Sequence, residues 1–222
     1  MTPNRVYEKY LSKVEKNSTN DNFSTDKGKA AELYNEMSVR LIKFFLNNRQ
    51  VDNLKDIQVL LVDDTPIVPE TSKEEYDLFP LPKDFLSWSY ISAKATKKDC
   101  KNQNISLYEI KDEDRADFLS NELFKPSFSY REFPYNFSNN KVKVYKEEGT
   151  KVTKILLSYY KYPKKIELQD PENPESNFTQ TELELPEHII DRIISAMVGD
   201  FKISNSDPSF ELEKMRQNEN IQ

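Results

Sequence analysis

The chain has 222 residues, 36% of them hydrophobic and 32% charged, with a formal net charge of −6. That length suits one domain, or one domain with appended helices, and is enough to bury a real core. The acidic balance disfavours a nucleic-acid binder driven by phosphate neutralisation. One cysteine and one histidine exclude an internal disulfide, a multi-cysteine zinc site and a histidine metal site, and three scattered glycines exclude a Gly-rich phosphate loop.

Taken in order, Met1–Arg5 has no apolar run behind it, so no signal peptide is expected, and no stretch is apolar enough to span a bilayer. Thr2 and Pro3 open a first helix with Val6, Tyr7, Tyr10, Leu11 and Val14 on one face. Lys16–Lys27 reads as a polar linker. A second helix is predicted from Lys29 to Asn47, with Ala30, Leu33, Met37, Leu41, Phe44 and Phe45 as its apolar stripe.

Gln58–Val62 predicts a short strand and Ile67–Asp77 a loop. Pro80 and Pro82 preclude a long helix over Tyr76–Ala95. Lys83–Leu86 forms a turn, and Ser87–Ala95 a strand with Trp88 and Tyr90 on one face and Ile91, Ala93 and Ala95 on the other. Thr96–Asn104 is a polar turn holding Cys100, and Ile105–Ile110 another strand. Asp112 is placed to cap a short helix over Glu113–Leu123. Ser127–Phe137 is extended and aromatic, with a phase shift before Phe133, Tyr135 and Phe137; Asn139-Asn140 is a turn. Lys141–Tyr145 turns Val142 and Val144 inward, and with Lys151–Tyr162 across Glu147-Glu148-Gly149 it forms the strongest predicted hairpin. After an acidic loop, Glu167–Glu182, Pro186 opens an amphipathic helix carrying Ile189, Ile190, Ile193, Ile194, Met197, Val198 and Phe201. A charged tail, Ser209–Gln222, holds Phe210, Leu212, Met215 and Ile221. The expected fold is α+β: N-terminal helices (1–50), a central antiparallel sheet or sandwich (51–185), then a C-terminal helix and extended tail (186–222), forming one composite domain.

Few residues offer chemistry. His188 reads as a partly packed surface histidine, and Cys100, beside Lys97, Lys98 and Lys101, has no flagged histidine partner. Asp63-Asp64 and Glu182/Glu184 read as solvated turn acids, because adjacent strand residues point to opposite faces. Lys161, Lys164 and Lys165 with Tyr159, Tyr160 and Tyr162 read as a strand end with snorkelling lysines. The apolar face of the C-terminal helix is wide enough to pack on the protein's own sheet or, in part, to meet a neighbouring subunit.

Three segments carry a resemblance: DLFPLPKDFLSWSYISAKA, with its Leu-Pro-x-Asp-Phe start; the strand end Ser158-Tyr-Tyr-Lys-Tyr-Pro163; and the helix ELPEHIIDRIISAMVGDF before a charged tail. Together they resemble the head–tail connector (adaptor, or head-completion) proteins of tailed bacteriophages, particularly short-tailed and crAss-like phages. The resemblance implies a non-enzymatic virion protein without cofactor or metal, assembled in the host cytoplasm. It would form a ring, usually of twelve copies, beneath the portal, joining portal to tail and extending the DNA channel without binding DNA specifically. It further implies the portal and the next tail or ring protein as partners, with Phe210, Leu212 and Met215 as a portal anchor and Leu33, Met37, Leu41, Ile190 and Ile194 as inter-subunit residues. Rival expectations are an acid-based hydrolase, a monomeric β-sandwich binder using exposed Tyr159, Tyr160 and Tyr162, and another virion ring or tail-assembly protein.

Overall fold

The computed structural model describes residues 1–15, 26–48, 51–121, 124–168 and 182–204; of residues 15, 115, 119 and 201–204 only the backbone is described. The chain forms two compact units, one built from residues 1–60 together with those from 163 onward, the other from 61–162. The architecture is α+β, and residues 51–56 and 58–60, expected within the β-rich part, are helical.

The first unit holds α1 (Pro3–Glu15), α2 (Lys27–Asn48), α3 (Val51–Asp56) and α5 (Glu187–Ser204), with a 3₁₀ turn over Gln58–Leu60 where a strand was expected. Asp26, expected in the linker, caps α2 by accepting the Gly28 N–H at 2.9 Å. Helix α5 packs on both α1 and α2. Its Ile189, Ile190, Ile193, Ile194 and Met197 are fully buried, as are Val6, Tyr10 and Val14 of α1. On α2 the buried stripe runs through Ala30, Tyr34, Met37, Ser38, Ile42 and Phe45. It is rotated from the expected one, leaving Leu33 and Leu41 half-buried and Phe44 exposed. Ser38 is tolerated inside because its hydroxyl donates back to the Tyr34 carbonyl at 2.7 Å. Asn35 holds the segment after Pro163 by matching both backbone groups of Ile166: its amide donates to the carbonyl at 3.0 Å, and its oxygen accepts the N–H at 2.8 Å.

Burial pushes the Tyr34 phenol up from 10.0 to about 12. The unfolded chain therefore releases this proton first, and stability fully present below pH 10 is lost as pH rises toward 12. The expected loss is about 2–3 kcal/mol, from two pKa units at about 1.4 kcal/mol each. Urea melts followed by helical circular dichroism at pH 9, 10 and 11.5 should show this fall, and Tyr34→Phe should flatten it. An unchanged slope in the variant refutes the burial of a protonated phenol.

The second unit is one eight-stranded sheet in the order β1-β8-β4-β5-β6-β7-β3-β2. The strands are β1 (Leu61–Ile67), β2 (Thr71–Ser72), β3 (Tyr76–Pro80), β4 (Phe85–Lys97), β5 (Cys100–Glu109), β6 (Glu132–Ser138), β7 (Lys141–Tyr145) and β8 (Thr150–Lys161). The first and last strands of that order, β1 and β2, are joined by residues 68–70 alone. Their ends lie within about 14 Å of chain, so the sheet must curl back on itself. Asp77 of β3 accepts the Val152 N–H of β8 at 3.1 Å, across the closing gap. The curl encloses Phe79, Ile91, Ala93, Ala95, Ile105, Phe133, Tyr135, Val142, Val144, Val152, Ile155, Leu157 and Tyr159.

Four expectations are corrected here. The sheet is mixed, since β5 and β6 pair in parallel across a connection containing α4 (Arg115–Ser120); it is a single curled sheet and not a sandwich. β7 and β8 do not form a hairpin: β7 lies between β6 and β3, and β8 between β1 and β4. Both edges of β7 are taken, and Gly149, at φ +73, lets the chain turn away. The tight hairpins are β6–β7, closed by Asn139 and Asn140 at φ 48 and 60, and β4–β5, closed at Lys98-Asp99. Finally, Asp112 caps no helix: α4 begins at Arg115, and the Asp112 carboxylate accepts the Asn136 side-chain amide.

Candidate interaction surfaces

Strand irregularities decide which side chains reach each surface. Against β8, strand β4 steps twice where β8 steps once, between Phe85 and Ser87 and again between Trp88 and Tyr90. Each bulge shifts the alternation by one residue. Phe85 and Trp88 therefore join Ile91, Ala93 and Ala95 on the inner side, and Trp88 parts from Tyr90, which stays outside. Strict alternation had placed Trp88 with Tyr90. Trp88 meets Tyr135 edge-on at 6.4 Å and stacks with Phe137 at 6.2 Å; Phe85 lies 5.8 Å from Tyr159. These rings fill one end of the curled sheet. The Tyr159 phenol, raised by burial and by Asp84, donates to the Asp84 carboxylate at 3.0 Å. Tyr160 is buried too, and Tyr162 is exposed.

The other expected chemistry is dispersed. Asp63 and Asp64 occupy a bulge on β1, where Ser158 donates to the Asp63 carboxylate and Asp64 adopts φ 44. They form a structural turn and not a carboxylate pair over a cleft. Cys100 is an exposed thiol at the start of β5. His188 lies 3.0 Å from Asp56, and Lys164 lies 3.1 Å from Glu184. Among the described residues no group of three or more His, Cys, Asp or Glu is spaced to hold a metal, and no helix is long and apolar enough to cross a membrane.

Of the five expected inter-subunit residues, Met37, Ile190 and Ile194 are buried within the helical unit. Their apolar faces are already covered by α1, α2 and α5, so they are core residues of this unit. Leu33 and Leu41 are half-buried and, with exposed Phe44, form an apolar flank of α2. Phe210, Leu212 and Met215 lie outside the described residues. The charged rim is ordered by ion pairs: Lys9 reaches Glu187 and Asp191, each at 3.0 Å, and Arg40 reaches Glu36 at 3.0 Å. The hydrogen bonds that Lys9 donates to Asp191 and Glu187 hold its ammonium above its ordinary value, and Lys9 holds Glu187 below its own.

Two shallow depressions lie on the β unit. One, of about 320 Å³, is lined by Leu107, Tyr108, Phe118, Phe124 and Tyr130 at the β5–β6 crossover. The other, of about 330 Å³, lies beside Lys125, Tyr145, Lys146 and Glu147. Sequence reasoning missed a buried ion pair next to the second: Lys146 donates to Asp77 at 2.7 Å and to Ser72 at 3.1 Å. No local pattern links these residues, because they meet only when β3 and the β7–β8 connection come together.

No protein-family model matches the chain, and no curated protein matches it in sequence.

Proposed function

We propose that the chain is a structural virion protein, a head–tail connector whose copies close into a ring at the portal vertex, join portal to tail and extend the DNA channel. The supporting observation is where the three resembling segments lie. The first supplies β4 and the second the end of β8, which are hydrogen-bonded neighbours with Ser87, Trp88 and Tyr90 opposite Tyr160, Tyr159 and Ser158. The third is α5, the helix on which α1 and α2 both pack. The resemblance thus falls on the two longest strands of one unit, paired with each other, and on the helix of the other unit that both α1 and α2 pack against. Burial of Tyr159 and Tyr160 also removes two of the three side chains on which a monomeric tyrosine-based binder would rely.

A closed ring needs a heterologous interface, one face of each copy meeting a different face of the next. The flank of Leu33, Leu41 and Phe44 is the candidate for one such face. The tail bearing Phe210, Leu212 and Met215 is the candidate portal anchor. Light scattering and negative-stain images of the purified chain, alone and with its portal, should show a ring of fixed copy number. Truncation after Ser206 should abolish association with the portal. A chain that stays monomeric and fails to co-purify with the portal overturns the proposal.

A further inference from the structure

On the outer face of the β unit, Lys94 of β4 sits directly opposite Lys154 of β8, and Thr96 sits opposite Lys151. Lys98 and Lys101 are exposed at the end of the same β4–β5 hairpin. Lys97 pairs with Glu147, but none of these five lysines has an ion-pair partner among the described residues. Like charges directly opposite on a sheet destabilise it. A bound polyanion would relieve that cost.

Two observations favour phosphates over an acidic protein surface. The side chains beside the lysines are mostly small and polar: Ser92 and Ser106 face each other, Asn104 flanks Lys94, and one half-buried apolar residue, Leu156, lies opposite Ser92. A protein interface needs an apolar centre and is depleted in lysine. Successive outward positions on a strand lie about 7 Å apart. The patch is thus a ladder of point charges, suited to a regular run of phosphates and without the means to read bases. The net charge of −6 does not oppose this, because residues 61–162 are nearly balanced and the excess acid lies in the remaining segments. Charges beyond about 10 Å are largely screened.

We infer that the Lys94–Lys151–Lys154 face of the β unit, with Lys98 and Lys101 at its end, contacts the phosphate backbone of double-stranded DNA without sequence preference. This rests on the connector reading for the presence of DNA, but the binding belongs to the chain itself.

The test is fluorescence anisotropy of the full chain with a labelled duplex of about 30 base pairs. With three phosphate contacts, affinity should fall about 40-fold between 50 and 200 mM salt. Lys94→Gln/Lys151→Gln/Lys154→Gln should weaken binding at least 10-fold and flatten the salt dependence. A control with the same net charge, Lys29→Gln/Lys83→Gln/Lys165→Gln, should retain it. Lys151→Gln alone, at an exposed position, should reduce the salt slope by about one and keeps the test decidable if the triple variant misfolds. Three results would overturn the inference: no binding at 50 mM salt, an equal loss in the control, or stronger competition by polyglutamate than by duplex, which would assign the patch to an acidic protein. Light scattering on the same variants scores ring formation separately, so loss of DNA contact and loss of the ring are distinguishable.

Discussion

Asp77→Ala should cost the β unit about 3–5 kcal/mol, the usual effect of removing one partner of a buried pair. The Asp77 side chain is fully buried and that of Lys146 is 5% exposed, with 2.7 Å between the charged atoms. Without the carboxylate, a buried ammonium keeps only the Ser72 hydroxyl, and the Val152 N–H loses its acceptor where β3 meets β8. Asp77→Ala/Lys146→Met should regain much of the loss, because an apolar pair leaves no uncompensated charge. Trp88, the only tryptophan, packs against the core of this unit, so its fluorescence in urea reports the β unit selectively. A single-variant loss below about 1 kcal/mol, or a double variant no better than the single, would show that the pair does not hold this gap closed.

Ile194→Ala should cost the helical unit about 2–5 kcal/mol, through lost transfer energy and the cavity left behind. Ile194 is 0% exposed in the layer where α5 packs on α1 and α2. The loss should appear in helical circular dichroism and not in Trp88 fluorescence. This result separates two roles for the residue. If Ile194 served a subunit interface, the substitution would weaken assembly and leave the isolated chain stable. A stable chain with impaired self-association would therefore contradict its burial here. Unfolding of the two units should be followed with both probes, since two compact units need not melt as one.

Helices were the most legible part of the sequence. Ile189, Ile190, Ile193, Ile194 and Met197 form an uninterrupted apolar face, and helical periodicity needs no knowledge of a partner. The stripe of α2 was placed one step too far round, because Phe44 and Phe45 are equally apolar and only packing chooses between them. Single strands were legible where alternation was regular, as at Val142 and Val144. Their pairing was not, because hydrogen-bonded neighbours such as Trp88 and Tyr159 are far apart in sequence. The bulges that bring Phe85 and Trp88 inward break the period on which a strand reading depends. The buried ion pair was hidden for a related reason: Asp77 and Lys146 look like ordinary surface charges until the curl brings them together. The lysine face was partly visible, since Lys97, Lys98 and Lys101 stood out beside Cys100. Lys151 and Lys154 join it only through strand register.

The helical unit is assembled from both ends of the chain, with Lys9 bonded to residues 178 and 182 positions away. During synthesis α1 and α2 emerge well before α5, with the faces of Tyr10, Met37 and Phe45 uncovered until it follows. The β unit lies wholly between them in sequence and can close before the helices have their partner. Contacts of such long sequence separation slow folding. Nascent chains therefore expose matching apolar surfaces until α5 is made, and an α5 from one chain can pack on α1 and α2 of another. The same interlock that completes each chain is thus also a route to exchange between chains.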